Sequence, residues 1–169
     1  MTGDSPLEKA FRRAVRLLLV RGRSVPEMRS RLRGMGFDDN VVDETVNRLT
    51  EMLYLDDNRF SREWARSCAL TKLWGDHKIV MSLGEKGIDR ESAEAALSEI
   101  RRELSEKEAV EKLVEKRLRA RTKSNDEKIE ISDTDIRRLI SSLKGRGFRT
   151  DSIYDVVRRL KEEYLNDRQ

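Results

Sequence analysis

The chain has 169 residues, with 36 Lys plus Arg against 32 Asp plus Glu, two Pro, one Cys and one His. Ala, Glu, Lys, Leu and Arg supply 82 of them, and so little Pro favours helices over strands. The single Cys68 excludes an internal disulfide and a multi-cysteine zinc site, the lone His77 leaves no triad or multi-histidine metal site, and no run approaches the roughly 18 apolar residues of a membrane span.

Leu7, Ala10, Phe11, Ala14, Leu17 and Leu18 share one face of a first helix. Its Arg12-Arg13 pair loosely resembles a twin-arginine export signal, but only Leu17 to Val20 run unbroken before Arg21. That is far short of a signal core, and the expectation is a cytoplasmic protein. Ser24 followed by Glu27 predicts a capping box opening a second helix, with Pro26 tolerated in its first turn. This helix runs to Leu32 and a corner at Gly36-Phe37. The same arrangement recurs without gaps at Leu83…Gly87-Ile88 and Leu143…Gly147-Phe148. Six, ten and thirteen residues past each Gly come Val42, Val46 and Leu49; then Ala93, Leu97 and Ile100; then Ile153, Val157 and Leu160.

A fixed glycine between two apolar stripes predicts a helix-turn-helix corner. The Gly takes the left-handed conformation that ends one helix, and the apolar residue after it folds back to seal that end. Asp38, Asp89 and Thr150 then stand where a short polar side chain caps the next helix. A further helix precedes each later pair, marked by Phe60, Trp64 and Cys68 and by Val110, Leu113, Val114 and Leu118. The expected fold is therefore all-α, a tandem array of three three-helix, helix-turn-helix-like repeats with about nine helices. The repeats are placed at 1–54, 55–103 and 104–169, the last with a polar loop near 122–134. Three such units in a row predict an elongated molecule on the order of 75 Å long, with neighbouring repeats packed on each other because units this small are marginal alone.

Charge is segregated along the chain. Residues 1–36 carry nine bases and three acids, residues 37–63 three bases and eight acids, and residues 112–123 six bases and one acid. Residues 137–149 carry five bases and no acid. Alternating blocks of this kind fit a surface that follows a polyanion intermittently, or simply solvated helix faces. The candidate contacts are Arg12, Arg16, Arg29 and Arg33 in the first block, and Lys112, Lys116, Arg119 and Lys123 on one helix face. Arg137, Arg138, Lys144, Arg146 and Arg149 flank the third corner. Such rows suit phosphates or acidic side chains, and arginine suits bidentate pairing with either. Trp74, beside Gly75 and out of phase with its stripe, is a candidate partner contact. Phe11, Phe37, Phe60, Trp64 and Phe148 fall at apolar repeat positions and are read as core, as is Cys68. Asp56-Asp57 could hold a cation, but a pair without further ligands is weak, and the N-cap of the next helix is favoured.

The text Tyr54-Leu55-Asp56-Asp57-Asn58-Arg59-Phe60, then Trp64, Gly75, Ile79, Leu83 and Lys86-Gly87-Ile88, together with Arg23-Ser24-Val25-Pro26-Glu27-Met28-Arg29, resembles the RecX family of bacterial regulatory proteins. The resemblance covers roughly residues 7–165 and is strongest from Leu55 to Ile88. One departure is Ser61, where the family usually has Ala. The resemblance implies a tandem three-helix protein that binds the RecA recombinase filament on single- or double-stranded DNA; the residues themselves add the expectation of a monomer that is not an enzyme and has no cofactor, metal or membrane partner. It implies a modulator, chiefly an inhibitor, of strand exchange, DNA-dependent ATP hydrolysis and the coprotease activity that triggers the SOS response, although some members of the family act positively. The rival reading is a tandem helix-turn-helix DNA binder acting without RecA. Against it, the helices after the first two corners begin with Asp38-Asp39 and with Asp89 and Glu91, the wrong sign for entering a groove. A hydrolase finds no clustered catalytic residues.

Overall fold

The structure is a computed structural model and describes residues 5–122 and 132–166. Among these residues there are nine α-helices and no strand: α1 Pro6–Val20, α2 Val25–Arg33, α3 Asp39–Glu51, α4 Asp57–Arg66, α5 Asp76–Gly84, α6 Arg90–Arg101, α7 Glu106–Thr122, α8 Asp133–Gly145 and α9 Thr150–Asn166. The order is the expected one of three helical triads. One π turn, Ser67–Thr71, follows α4, where the Lys72 N–H reaches back five residues to the Ser67 carbonyl at 3.2 Å.

The three glycine corners form as the pattern dictates. Gly36, Gly87 and Gly147 have φ of 85, 77 and 81°. The next residue in each case donates its N–H to the Leu five residues earlier, at 3.4, 3.1 and 3.3 Å, while the glycine N–H bonds three residues back. These paired bonds are the Schellman closure that satisfies the last carbonyls of a helix. Leu53 closes α3 in the same way with φ 58°, a conformation that strains a residue with a Cβ and that no glycine announced.

The helix starts depart from expectation in several places. Ser24 accepts the Glu27 N–H at 3.2 Å, but the Glu27 carboxylate turns to Arg21 and Arg23 instead of the cap backbone. Half of the predicted capping box is therefore missing, because two charge-assisted bonds outweigh one to a backbone amide. Asp89 caps α6 through the Ser92 N–H at 2.8 Å, whereas Asp38 occupies the N-cap of α3 without a side-chain bond. Thr150 is the first helical residue of α9 and not its cap. Ser132 and Asp135 form a complete capping box on α8, so residues 132–134, expected to end the polar loop, open that helix. Residues 123–131, with the rest of the loop, lie outside the described residues.

The chain divides into two compact units, Met1–Trp64 with Ser82–Ala96, and Ala65–Met81 with Leu97–Gln169. Helices α4, α5 and α6 contribute residues to both. The core of the first unit gathers Ala14, Met28, Leu32, Val42, Val46, Leu49 and Leu55, with Phe11 and Phe37 packed against it. That of the second gathers residues such as Leu104, Val110, Val114, Leu139, Leu143, Phe148, Ile153 and Leu160. Phe60 and Cys68 are also buried, and Trp64 stacks on Phe60 with its indole N–H on Ser82 Oγ at 3.0 Å.

Candidate functional site

Two of the corners are packed against the start of another helix. In the first unit, Ser24, wholly buried, donates its hydroxyl to the Lys86 carbonyl. Pro26 of α2 stands so close to Gly87 that a Cβ there would lie 2.8 Å from the Pro26 Cγ. In the second unit, Gly75 donates its N–H to the Arg146 carbonyl at 2.9 Å and His77 donates to the Gly147 carbonyl at 3.1 Å. A Cβ on Gly147 would lie 2.6 Å from the Lys78 nitrogen, and one on Gly75 would overlap the Gly147–Phe148 peptide. The first contact meets a corner carbonyl with the N-cap hydroxyl of α2, the second with amides at the start of α5. Gly75 entered the sequence reading only as part of the family text; its role is this close approach.

An acidic residue completes each contact. Asp57, first residue of α4, accepts the N–H of Val25, first residue of α2, at 2.7 Å. Glu106, first residue of α7, accepts from the N–H of Asp76, first residue of α5, at 2.9 Å. It also takes the Arg149 N–H at 3.2 Å and the Ser152 hydroxyl at 2.8 Å, and so caps α9 where Thr150 was expected to. Burial pushes the Asp57 carboxyl up, opposed by the Val25 N–H and reinforced by Asp56. Asp56 is the ordinary N-cap of α4, accepting the Arg59 N–H at 2.9 Å. Nothing in the spacing of Asp57 or Glu106 signals these bonds, which span 32 and 30 residues.

The candidate basic residues sort into two groups. Those engaged within the fold are Arg29, paired with Asp43, and Arg33, paired with Asp39 at 2.6 Å. Arg146 donates to the Lys72 carbonyl at 3.0 Å, and Arg149 pairs with Asp151 at 2.9 Å. Arg21 and Arg23 hold Glu27. Burial disfavours its charge, but the bonds and charge of Arg21, with Lys86 and Arg23, win and keep its pKa below the usual range. The second group is exposed, as Arg33 and Arg149 also are. Arg12 and Arg16 lie exposed on α1 beside Lys9 and Arg13. Lys112, Lys116 and Arg119 line an exposed face of α7, with Arg119 3.5 Å from Glu115. Arg137 and Arg138 are exposed on α8, and Lys144 sits 5.9 Å from the Tyr154 ring. Lys123 lies outside the described residues.

Trp74 is half-buried, with the Lys72 and Lys78 ammonium groups 4.6 and 4.7 Å from its ring. Its carbonyl accepts from Arg101, which also holds Asp76 at 2.7 Å. Among the described residues no three His, Cys, Asp or Glu side chains group to hold a metal ion, and no helix is long and apolar enough to cross a membrane.

Comparison with known proteins identifies similar chains. Residues 10–49 match the family model described as RecX, first three-helix domain, and residues 56–97 that of RecX, second three-helix domain. The regulatory protein RecX of Mycolicibacterium smegmatis is 33% identical over 166 residues, covering 96% of this chain and 83% of its own. That of Corynebacterium efficiens is 28% identical over 156 residues, covering 92% and 73%. The crystal structure of RecX from Lactobacillus salivarius superposes with a TM-score of 0.74 at 24% identity, covering 92% of this chain and 97% of that one. This last likeness shows the fold.

Proposed function

We propose a function from the premise that the chain belongs to the RecX family of regulatory proteins: it binds the RecA filament on DNA and restrains it. It acts in the cytoplasm as a monomer, without cofactor or catalysis of its own. Basic faces meet DNA phosphate or acidic RecA surface, and the tandem repeats engage successive protomers. Addition of the next protomer is blocked, or the filament is held in a poorly active state, so that strand exchange, ATP hydrolysis and coprotease activity fall together. In this reading the three repeats, 1–54, 55–103 and 104–169, are the units that repeat along the filament.

The observation that carries this reading is the exposure of basic side chains on three helices. Arg29 is half-buried against Asp43 and Arg146 donates to the Lys72 carbonyl, while the candidate cations on α1, α7 and α8 lie exposed. Exposed cations spread over several helices suit a long anionic partner better than a single small ligand.

The test is ATP hydrolysis by the cognate RecA on single-stranded DNA, with this protein titrated from far below to equal stoichiometry. Inhibition well below one molecule per protomer is the expected result. An effect only near saturation of the DNA points to the tandem helix-turn-helix DNA binder instead. Charge reversal of Lys116 and Arg119 together is expected to weaken filament binding and, if both face phosphate, to flatten the salt dependence by roughly 1.5 in log–log slope. Unchanged binding by a folded variant removes that face of α7 from the mechanism.

A further inference from the structure

The first corner has the backbone of the other two and none of their cover. A Cβ added to Gly36 meets nothing within 4 Å, where Gly87 and Gly147 are in close contact with the start of α2 and of α5. Met35 is 40% exposed, and among the described residues no donor reaches the Met35 or Gly36 carbonyl. Beside this corner lies an open groove of about 630 Å³ lined by Lys9, Arg12, Arg13, Arg16, Met35 and Phe37. Among the described residues its lining is cationic and includes no carboxylate. Lys9, Arg13 and Arg16 make no ion pair among the described residues.

We propose that the Gly36 groove is a docking site for the N-terminal turn of a helix, carrying Asp or Glu in that turn, from a partner protein. The internal contacts supply the geometry: twice in this chain a glycine corner receives a helix N-terminus, whose hydroxyl or amide donors meet the corner carbonyls. The first turn of any helix presents such unpaired N–H groups and favours acidic side chains. Those acids would meet the cations of α1 while the donors meet the Met35 and Gly36 carbonyls. A phosphate backbone satisfies the cations but brings no donor for the carbonyls. The site thus selects for protein over nucleic acid, and it does so whether or not the partner is RecA.

The probe is a synthetic, helix-stapled peptide with Ser-Pro-Glu-Glu at its N-terminus and an alanine-rich body, titrated into the full chain by amide NMR and fluorescence anisotropy. Saturable shifts at Gly36 and Phe37 are expected, and replacing both Glu by Gln is expected to weaken binding roughly tenfold. Moving the acids to the last turn is expected to weaken it equally, because acids and free N–H donors then cannot enter the groove together. The Arg13→Glu, Arg16→Glu variant should lose the wild-type peptide and regain binding to one with Lys in place of Glu. Reversal of Arg62, exposed on α4, should leave peptide binding unchanged. Absence of saturable shifts, equal binding with the acids in the last turn, or failure of the charge-swapped pair overturns the proposal. Shifts at Gly36 from oligothymidylate alone would assign the groove to nucleic acid and overturn it too.

Discussion

At Gly36 and at Gly147 the backbone turns through the same left-handed residue, φ 85 and 81°, and closes with the same pair of hydrogen bonds. The surroundings differ completely. Space is open around Gly36, whereas Gly147 lies against Lys78 and receives the His77 N–H on its carbonyl. One sequence pattern therefore answers two demands. Every corner needs a residue that tolerates positive φ; only the covered ones also need a residue with no side chain at all. Gly75, on the other side of the Gly147 contact, has the second demand without the first, since its φ is not in the left-handed region.

Substitution by alanine separates the demands. Gly147→Ala is expected to cost about 3 kcal/mol or more, adding left-handed strain to overpacking against Lys78. Gly75→Ala should approach this through overpacking alone. Gly36→Ala should cost only about 1–2 kcal/mol, from strain. Urea denaturation midpoints of the three variants check the order, and equal losses at Gly36 and Gly147 would dissolve the distinction between open and covered corners.

The acids beside the covered corners sharpen the same comparison. Glu106→Ala strands the Asp76 and Arg149 amides and the Ser152 hydroxyl, and a loss of about 2–3 kcal/mol is expected. Asp57→Ala strands one amide, that of Val25, and should cost about 1 kcal/mol. Glu106→Gln, which keeps an acceptor oxygen, should fall between wild type and the alanine variant in the same assay.

The smallest effect is one of pH. The Asp89 carboxyl is held below its usual range, first by the Ser92 N–H and then by the Ser92 hydroxyl. A carboxyl with a lowered folded pKa contributes stability above its unfolded value, and that contribution disappears as pH falls through the folded one. Between about pH 5 and 3 the denaturation midpoint of wild type should therefore fall more steeply than that of Asp89→Asn. Parallel curves would mean that the Ser92 bonds do not favour the charged form.

The helices and corners were legible because they follow from local rules. A glycine at fixed distance from Leu and Phe or Ile predicts a left-handed helix end, and offsets of six, ten and thirteen predict the buried face that Val42, Val46 and Leu49 form. The basic row on α7 was legible for the same reason, as periodic positions on one helix face. The π turn at Ser67–Thr71 and the left-handed Leu53 and Leu73 had no such signal, because tertiary packing overrides local preference there.

The sequence by itself determined which residues form helices, where each pair turns, which side of each helix is apolar and where the cations lie in the chain. These depend on residues within a few turns of one another. Tertiary structure alone decided that Asp57 and Glu106 cap helices 30 or more residues away, that Gly75 and Gly147 must have no side chain, and that Arg29 and Arg33 are bound to Asp43 and Asp39 while the cations of α1 face an open corner. Those outcomes depend on which distant groups meet, and a donor, an acceptor or a free volume has no partner until the chain has folded.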